Sequence, residues 1–137
     1  MLGDGTPATS VNLLPGAIHV DEKGCLYIVD DGNSRIRKVS TDGIISTVAG
    51  AGLAGGGGAE TGDGGLATSA FIHPTDVCAD AAGRVYLASS EGKIRVVSPN
   101  GILSTIGGYS ASLLEVDANG CLYLGSGHKI LKLTPNR

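Results

Sequence analysis

Val20-Asp21-Glu22-Lys23-Gly24-Cys25-Leu26-Tyr27 returns as Ala79-Asp80-Ala81-Ala82-Gly83-Arg84-Val85-Tyr86, and again as Val116-Asp117-Ala118-Asn119-Gly120-Cys121-Leu122-Tyr123. In each copy an Asp opens a tight turn and a Gly sits three residues on, between two apolar segments. An Asp carboxylate can bond its own turn amides, and Gly accepts φ > 0 without a Cβ penalty. The triplet therefore reads as a strand, a turn and a second strand, used three times.

The repeat extends in both directions. Upstream, Gly3-Asp4-Gly5-Thr6-Pro7-Ala8-Thr9-Ser10 matches Gly62-Asp63-Gly64-Gly65-Leu66-Ala67-Thr68-Ser69, each followed by a proline, Pro15 or Pro74, at the same offset. Downstream comes a basic-apolar strand: Arg35-Ile36-Arg37-Lys38-Val39, Lys93-Ile94-Arg95-Val96-Val97 and Lys129-Ile130-Leu131-Lys132-Leu133. Asp42-Gly43 and Asn100-Gly101 then give hairpin turns, and Asn136-Arg137 occupies that place in the third copy. Ile44–Val48 and Ile102–Ile106 supply a fourth strand. Each unit thus predicts strands a to d, in the first unit near Ala17–Asp21, Leu26–Val29, Arg35–Ser40 and Ile44–Val48. They are Val-, Ile- and Tyr-rich and bounded by turn signals. One helical turn fits at Ala67–Ala70, and Pro74 stops it from extending.

Four-stranded units at this period mark a β-propeller. The combined pattern, GDGxxATS, a Pro, VDxxGxLY, then Gly32-Asn33-Ser34-Arg35-Ile36 and DGIISTVAG, resembles NHL repeats. The expected fold is all-β, with propeller blades of four antiparallel strands. Blade 1 runs about 3–50, a linker 51–61, blade 2 about 62–108, and an incomplete blade 3 over 109–137. The third unit has no GDG segment and no strand d. The resemblance implies a six-bladed ring, so three blades read as an open arc, half of a propeller. Open apolar ends are avoided by soluble monomers. The expectation is a segment of a longer propeller chain or a homodimer that completes the ring. Families with this repeat mostly serve as protein-binding platforms, in some cases binding RNA or cell-surface partners; a minority resemble lyases or lactone hydrolases.

Composition agrees with short strands and many turns. The chain has 137 residues, 23 of them Gly, with 42% hydrophobic residues and no Trp. A mean hydropathy of +0.18 argues against disorder. The net charge of −3 and the absence of a basic run argue against nucleic acid as a partner. No apolar run approaches a membrane span. Met1-Leu2 leads straight into Gly3-Asp4-Gly5, which is not a signal peptide; cytoplasmic residence follows if the chain is complete. Cys25, Cys78 and Cys121 show no metal-finger spacing and read as small hydrophobes.

Candidate chemistry is sparse. Gly50-Ala51-Gly52-Leu53-Ala54-Gly55 fits GxGxxG, but Gly56-Gly57-Gly58 follows where a nucleotide-binding unit needs a helix. His19, Cys78 and Glu115 share one position on strand a, the innermost strand of a blade. They are the weak candidates for a metal in the central channel, since His, Cys and Glu all ligate zinc. Asp30-Asp31 reads as a solvated turn rather than a calcium loop. His73 reads as a turn residue, and Asp21, Asp80 and Asp117 as shapers of the a–b turns.

The d–a and b–c loops share one face, which would carry Asp4, Asp30, Asp31, Asn33, Arg35, Glu60, Asp63, Ser89, Ser90, Glu91 and His128. The binding candidates are Asp30, Asp31, Asn33, Arg35, Asp63, Ser90, Glu91 and His128. The expected function is a non-catalytic scaffold that binds a protein or peptide through this face, with no cofactor. The alternatives are a lyase- or lactone-hydrolase-type enzyme with a channel metal, and a purely structural segment of a larger protein.

Overall fold

The computed structural model describes residues 3–52 and 60–135. Leu53–Ala59, which hold half of the GxGxxG match and the Gly55–Gly58 run, lie outside the described residues, as do Asn136 and Arg137 of the third c–d turn.

The strands fall where the repeat puts them. Blade 1 holds β1 (Pro15–Val20), β2 (Leu26–Asp30), β3 (Arg35–Val39) and β4 (Ile45–Ala49); blade 2 holds β5 (Pro74–Ala79), β6 (Val85–Ser89), β7 (Ile94–Val97) and β8 (Leu103–Ile106). Blade 3 holds β9 (Leu113–Val116), β10 (Leu122–Ser126) and β11 (Lys129–Leu133). Each sheet is an antiparallel meander in chain order, with four, four and three strands. Blade 3 lacks strand d among the described residues, as its sequence implies. Across their first three strands the first two blades share one register: Tyr27 faces His19 and Lys38, and Tyr86 faces Cys78 and Val96. A bulge beside Pro15 recurs beside Pro74, where a residue without an N–H disrupts the ladder.

Local chemistry makes the turns. Asp21 Oδ1 accepts from the amides of Lys23 and Cys25, each at 2.9 Å. Asp80 Oδ1 accepts from Ala82 and Arg84, and Asp117 Oδ1 from Asn119 and Cys121. The c–d turns carry Ser40 bonded to Asp42 and Ser98 bonded to Asn100. Single 3-10 turns form at Ala8–Ser10 and Ala67–Ser69. No helix of the described residues is long and apolar enough to cross a membrane.

Alternation along the strands gives each blade two apolar faces, and neighbouring blades share them. In the first joint, Tyr27, Val29, Ile36 and Ala49 of blade 1 pack on Val77, Val85, Leu87, Val97 and Leu103 of blade 2. Ala67, Ala70 and Ile72, on the approach to β5, close that joint. In the second, Cys78, Tyr86, Ala88 and Ile94 of blade 2 pack on Ala111, Leu114, Leu122 and Leu124 of blade 3. Burying a Val or Leu side chain is worth about 1.5–3 kcal/mol, so each joint is a core in its own right. The innermost strands β1, β5 and β9 pack in sequence, and the three blades form an open arc.

Candidate functional site

Two places gather chemistry: the inner strands and the loop rim. On the inner strands, His19 Nδ1 lies 3.1 Å from Glu115 Oε1, joining blade 1 to blade 3 across the intervening β5. His19 also faces the Tyr27 ring, with centroids 6.4 Å apart. Cys78, the third member of the predicted set, does not join them as a ligand. It is fully buried in the second joint, and that burial pushes its thiol strongly up, with Glu115, Asp76 and Asp80 adding in the same direction. A metal ligand must be a thiolate. Among the described residues no three His, Cys, Asp or Glu side chains stand together in a way that could hold a metal.

On the rim, the loop segments are tied to one another by backbone. The amide of Asp31 donates to Leu14 O at 3.1 Å, and that of Ser90 to His73 O at 2.9 Å. Asp31, Ser90, Glu91 and His128 are exposed there, and Asn33 and Arg35 half-buried. The Arg35 guanidinium donates to the carbonyls of Asn33 and Ala51, both at 3.2 Å. Glu91 Oε2 accepts from the Glu60 amide at 3.2 Å, tying the blade 2 loop back to the blade approach. An open cleft of about 510 Å³ lies here, lined by Asn12, Leu13, Leu14, Asp30, Asn33, Arg35 and Arg37.

Asp30 corrects the solvated-turn reading of the Asp30-Asp31 doublet. It is fully buried, while Asp31 is exposed. Its Oδ1 accepts from the Leu14 amide and the Asn33 side chain, both at 2.9 Å, and its Oδ2 lies 3.6 Å from Arg37 Nη1. Asp30 is therefore the floor of the cleft rather than a contact offered to solvent. Ser89 and Glu60, placed on the rim by the sequence, are buried as well.

The residues that sequence reasoning missed are Arg37 and Arg95. Both sit on strand c and are 2% exposed. Arg37 Nη2 donates to Asp4 Oδ1 at 2.8 Å, and Arg95 Nη2 to Asp63 Oδ1 at 2.7 Å. The same carboxylates accept from Thr47 and Thr105 on strand d. The GDG segments thus lie along the outer strand, bonded to Ile45 in blade 1 and Leu103 in blade 2, and are pinned by their Asp to the buried Arg. Asp63, a predicted rim contact, is engaged in this pin. A second carboxylate approaches each Arg: Asp30 in blade 1, and Glu60 Oε1 at 4.0 Å in blade 2. A signal was present in the sequence: the third unit loses the GDG segment and carries Leu131 where the other two carry Arg.

No family model matches the chain, and no curated protein does. Solved structures do. A protein of unknown function from Bacteroides thetaiotaomicron is 18% identical, with 80% of this chain on 32% of that one at a TM-score of 0.62. A catalytically inactive virginiamycin B lyase from Staphylococcus aureus with quinupristin is 16% identical, with 98% of this chain on 46% of that one at 0.57. The calcium-binding protein regucalcin from Agrobacterium tumefaciens is 18% identical, with 85% on 39% at 0.52. What is shared at these identities is the fold, and the chain spans less than half of each. The architecture is an all-β arc of three propeller blades, matching under half of six-bladed propellers.

Proposed function

We propose that the chain is an NHL-type propeller segment whose loop rim binds a protein or peptide without catalysis. One observation carries this reading: the open cleft between the approach to β1 and the β2–β3 loop. Its floor is the buried Asp30–Arg37 pair, its walls are Asn12, Leu13, Leu14, Asn33 and Arg35, and Leu14 is largely exposed at its lip. Guanidinium, amide and apolar side chains on a fixed floor suit a peptide's carbonyls and side chains, and loops on a rigid scaffold are where binding residues concentrate. The test compares proteins recovered from the native cells by the intact chain, by an Asn12→Ala/Leu14→Ala/Arg35→Ala variant of the rim cleft, and by a Glu22→Ala/Lys23→Ala variant of the opposite face. Partners lost only with the rim variant support the reading; an unchanged partner set contradicts it.

The second reading is a lyase- or lactone-hydrolase-type enzyme, favoured by the His19–Glu115 contact on the inner strands. The burial of Cys78 counts against a three-ligand metal there. Stoichiometric zinc that disappears in His19→Ala and Glu115→Gln would favour this reading over the first.

A further inference from the structure

The two ends of the arc expose the positions that the two joints inside it bury. On blade 1, Ile18 and Val20 stand where blade 2 has Val77 and Ala79. They are 64% and 59% exposed, against 1% and 6% for their counterparts. Ala8, Val11 and Leu13 likewise stand where Ala67, Ala70 and Ile72 are buried, and each is only half-buried. On blade 3, Ile130 stands where Ile36 and Ile94 are fully buried, and is 74% exposed. Beside it Leu113, Tyr123 and Gly125 form a shallow apolar depression. The front of blade 1 is thus a blade 2 front without its partner, and the rear of blade 3 a blade 1 rear without its partner.

We infer that these faces meet each other, head to tail, in a second copy of this chain, and that two copies close a six-bladed ring. Such a contact continues an interface already built twice in the molecule. The rear of one blade and the front of the next are complementary by repeat position, and a heterologous contact of that kind closes when its rotation divides the circle. Three blades per copy give two copies for the six blades of the matched propellers, of which this chain spans 46% in the best-covered case quoted above. The rotation runs about the propeller axis, so both loop rims face the same way.

The second joint shows how the rim closes. There the Ala111 amide bonds Gly92 O, linking the approach strand of one blade to the b–c loop of its neighbour. By repeat position the new joint brings the Gly127–His128 loop of one copy toward Asn12–Leu14 of the other, beside the wall of the cleft. That detail bears on the rim reading, whereas the ring stands without it.

Sedimentation equilibrium of the intact chain, with circular dichroism to confirm folding, decides the matter. The expected mass is twice the 13.7 kDa of the chain. Ile18→Glu and Ile130→Glu each bury a lone carboxylate in both joints and should weaken association about 100-fold or more. Mixing the two variants should restore a dimer, because one of its two joints is then wild type on both sides. This complementation also excludes misfolding as the cause. A monomeric wild type would overturn the inference and assign the faces to further blades of a longer chain. Loss of association by only one of the two variants would mean a symmetric face-to-face pair, and open-ended polymers would mean a joint that does not close; either overturns it.

Discussion

At the scale of single residues, the pin between Arg95 and Asp63 carries more than its surface appearance suggests. Removing one partner of a buried ion pair leaves the other charge uncompensated and costs about 3–5 kcal/mol. Arg95→Ala strips the cation from the buried Glu60 as well as from Asp63, and should therefore lower the midpoint of urea unfolding sharply. Asp63→Ala leaves Arg95 with Glu60 at 4.0 Å and should cost about 2 kcal/mol. Leu131→Ala in the third unit breaks no pin and should cost less than Arg95→Ala. The pH dependence follows from the same bonds. Partial burial works to raise the Asp63 carboxyl, but the Thr105 hydroxyl and the Arg95 guanidinium outweigh it and hold the carboxyl below its ordinary value. The Cys121 amide, with the Tyr123 hydroxyl, does the same for Asp117. A lowered folded-state value means stability present above the unfolded value of about 4 and lost as pH falls through the folded value. Unfolding midpoints should fall below about pH 4, and Asp63→Asn should flatten that fall. Tyr27 moves the other way: burial, then the nearby Asp21 carboxylate, push its phenol up to about 12. Its contribution is intact below the unfolded value of about 10 and is lost above it, so alkaline unfolding should accompany tyrosine ionisation measured by absorbance.

At the scale of elements, two glycines with the same backbone region should respond differently. Gly50 and Gly101 both have positive φ, +97 and +87. A Cβ at Gly101 meets open space, whereas one at Gly50 collides with the Ser34 carbonyl and the Arg35 backbone. Gly101→Ala should cost about 1 kcal/mol, the left-handed penalty alone. Gly50→Ala should cost clearly more, since the β3–β4 end of blade 1 must move; thermal unfolding of the two variants checks this. Strands, turns and blade boundaries were legible in the sequence because each rests on local chemistry: Val, Ile and Tyr runs, Asp-x-x-Gly turns, Asp-Gly and Asn-Gly hairpins. The site was much less so. Arg35-Ile36-Arg37-Lys38 reads as an ordinary basic strand because the groups that bury Arg37 are distant in the chain: Asp4 lies 33 residues away. Asp30 reads as a turn residue because the Leu14 amide that it accepts from is 16 residues upstream. The His19–Glu115 contact depends on how tightly the inner strands of three blades converge, which no single repeat encodes.

At the scale of the whole molecule, one joint explains the core, the two exposed ends and the placement of the loop rim. Blade 2 sits in both internal joints, so β6 is buried along its whole length and β5 over Val77–Ala79, whereas β11 is exposed along most of its length as a sheet edge. An edge of that kind invites pairing with another chain unless it is covered. The GDG segments do this for β4 and β8, and blade 3 has no such segment among its described residues. Whether a single type of inter-blade joint builds the molecule and closes its ends can be read most directly from amide hydrogen exchange followed across protein concentration. Exchange should be slow in β5 and β6 at every concentration, with β1, β9 and β10 gaining protection as the chain associates. Protection in β1, β9 and β10 that is independent of concentration, or β5 and β6 exchanging as fast as the terminal blades, would contradict a single type of joint.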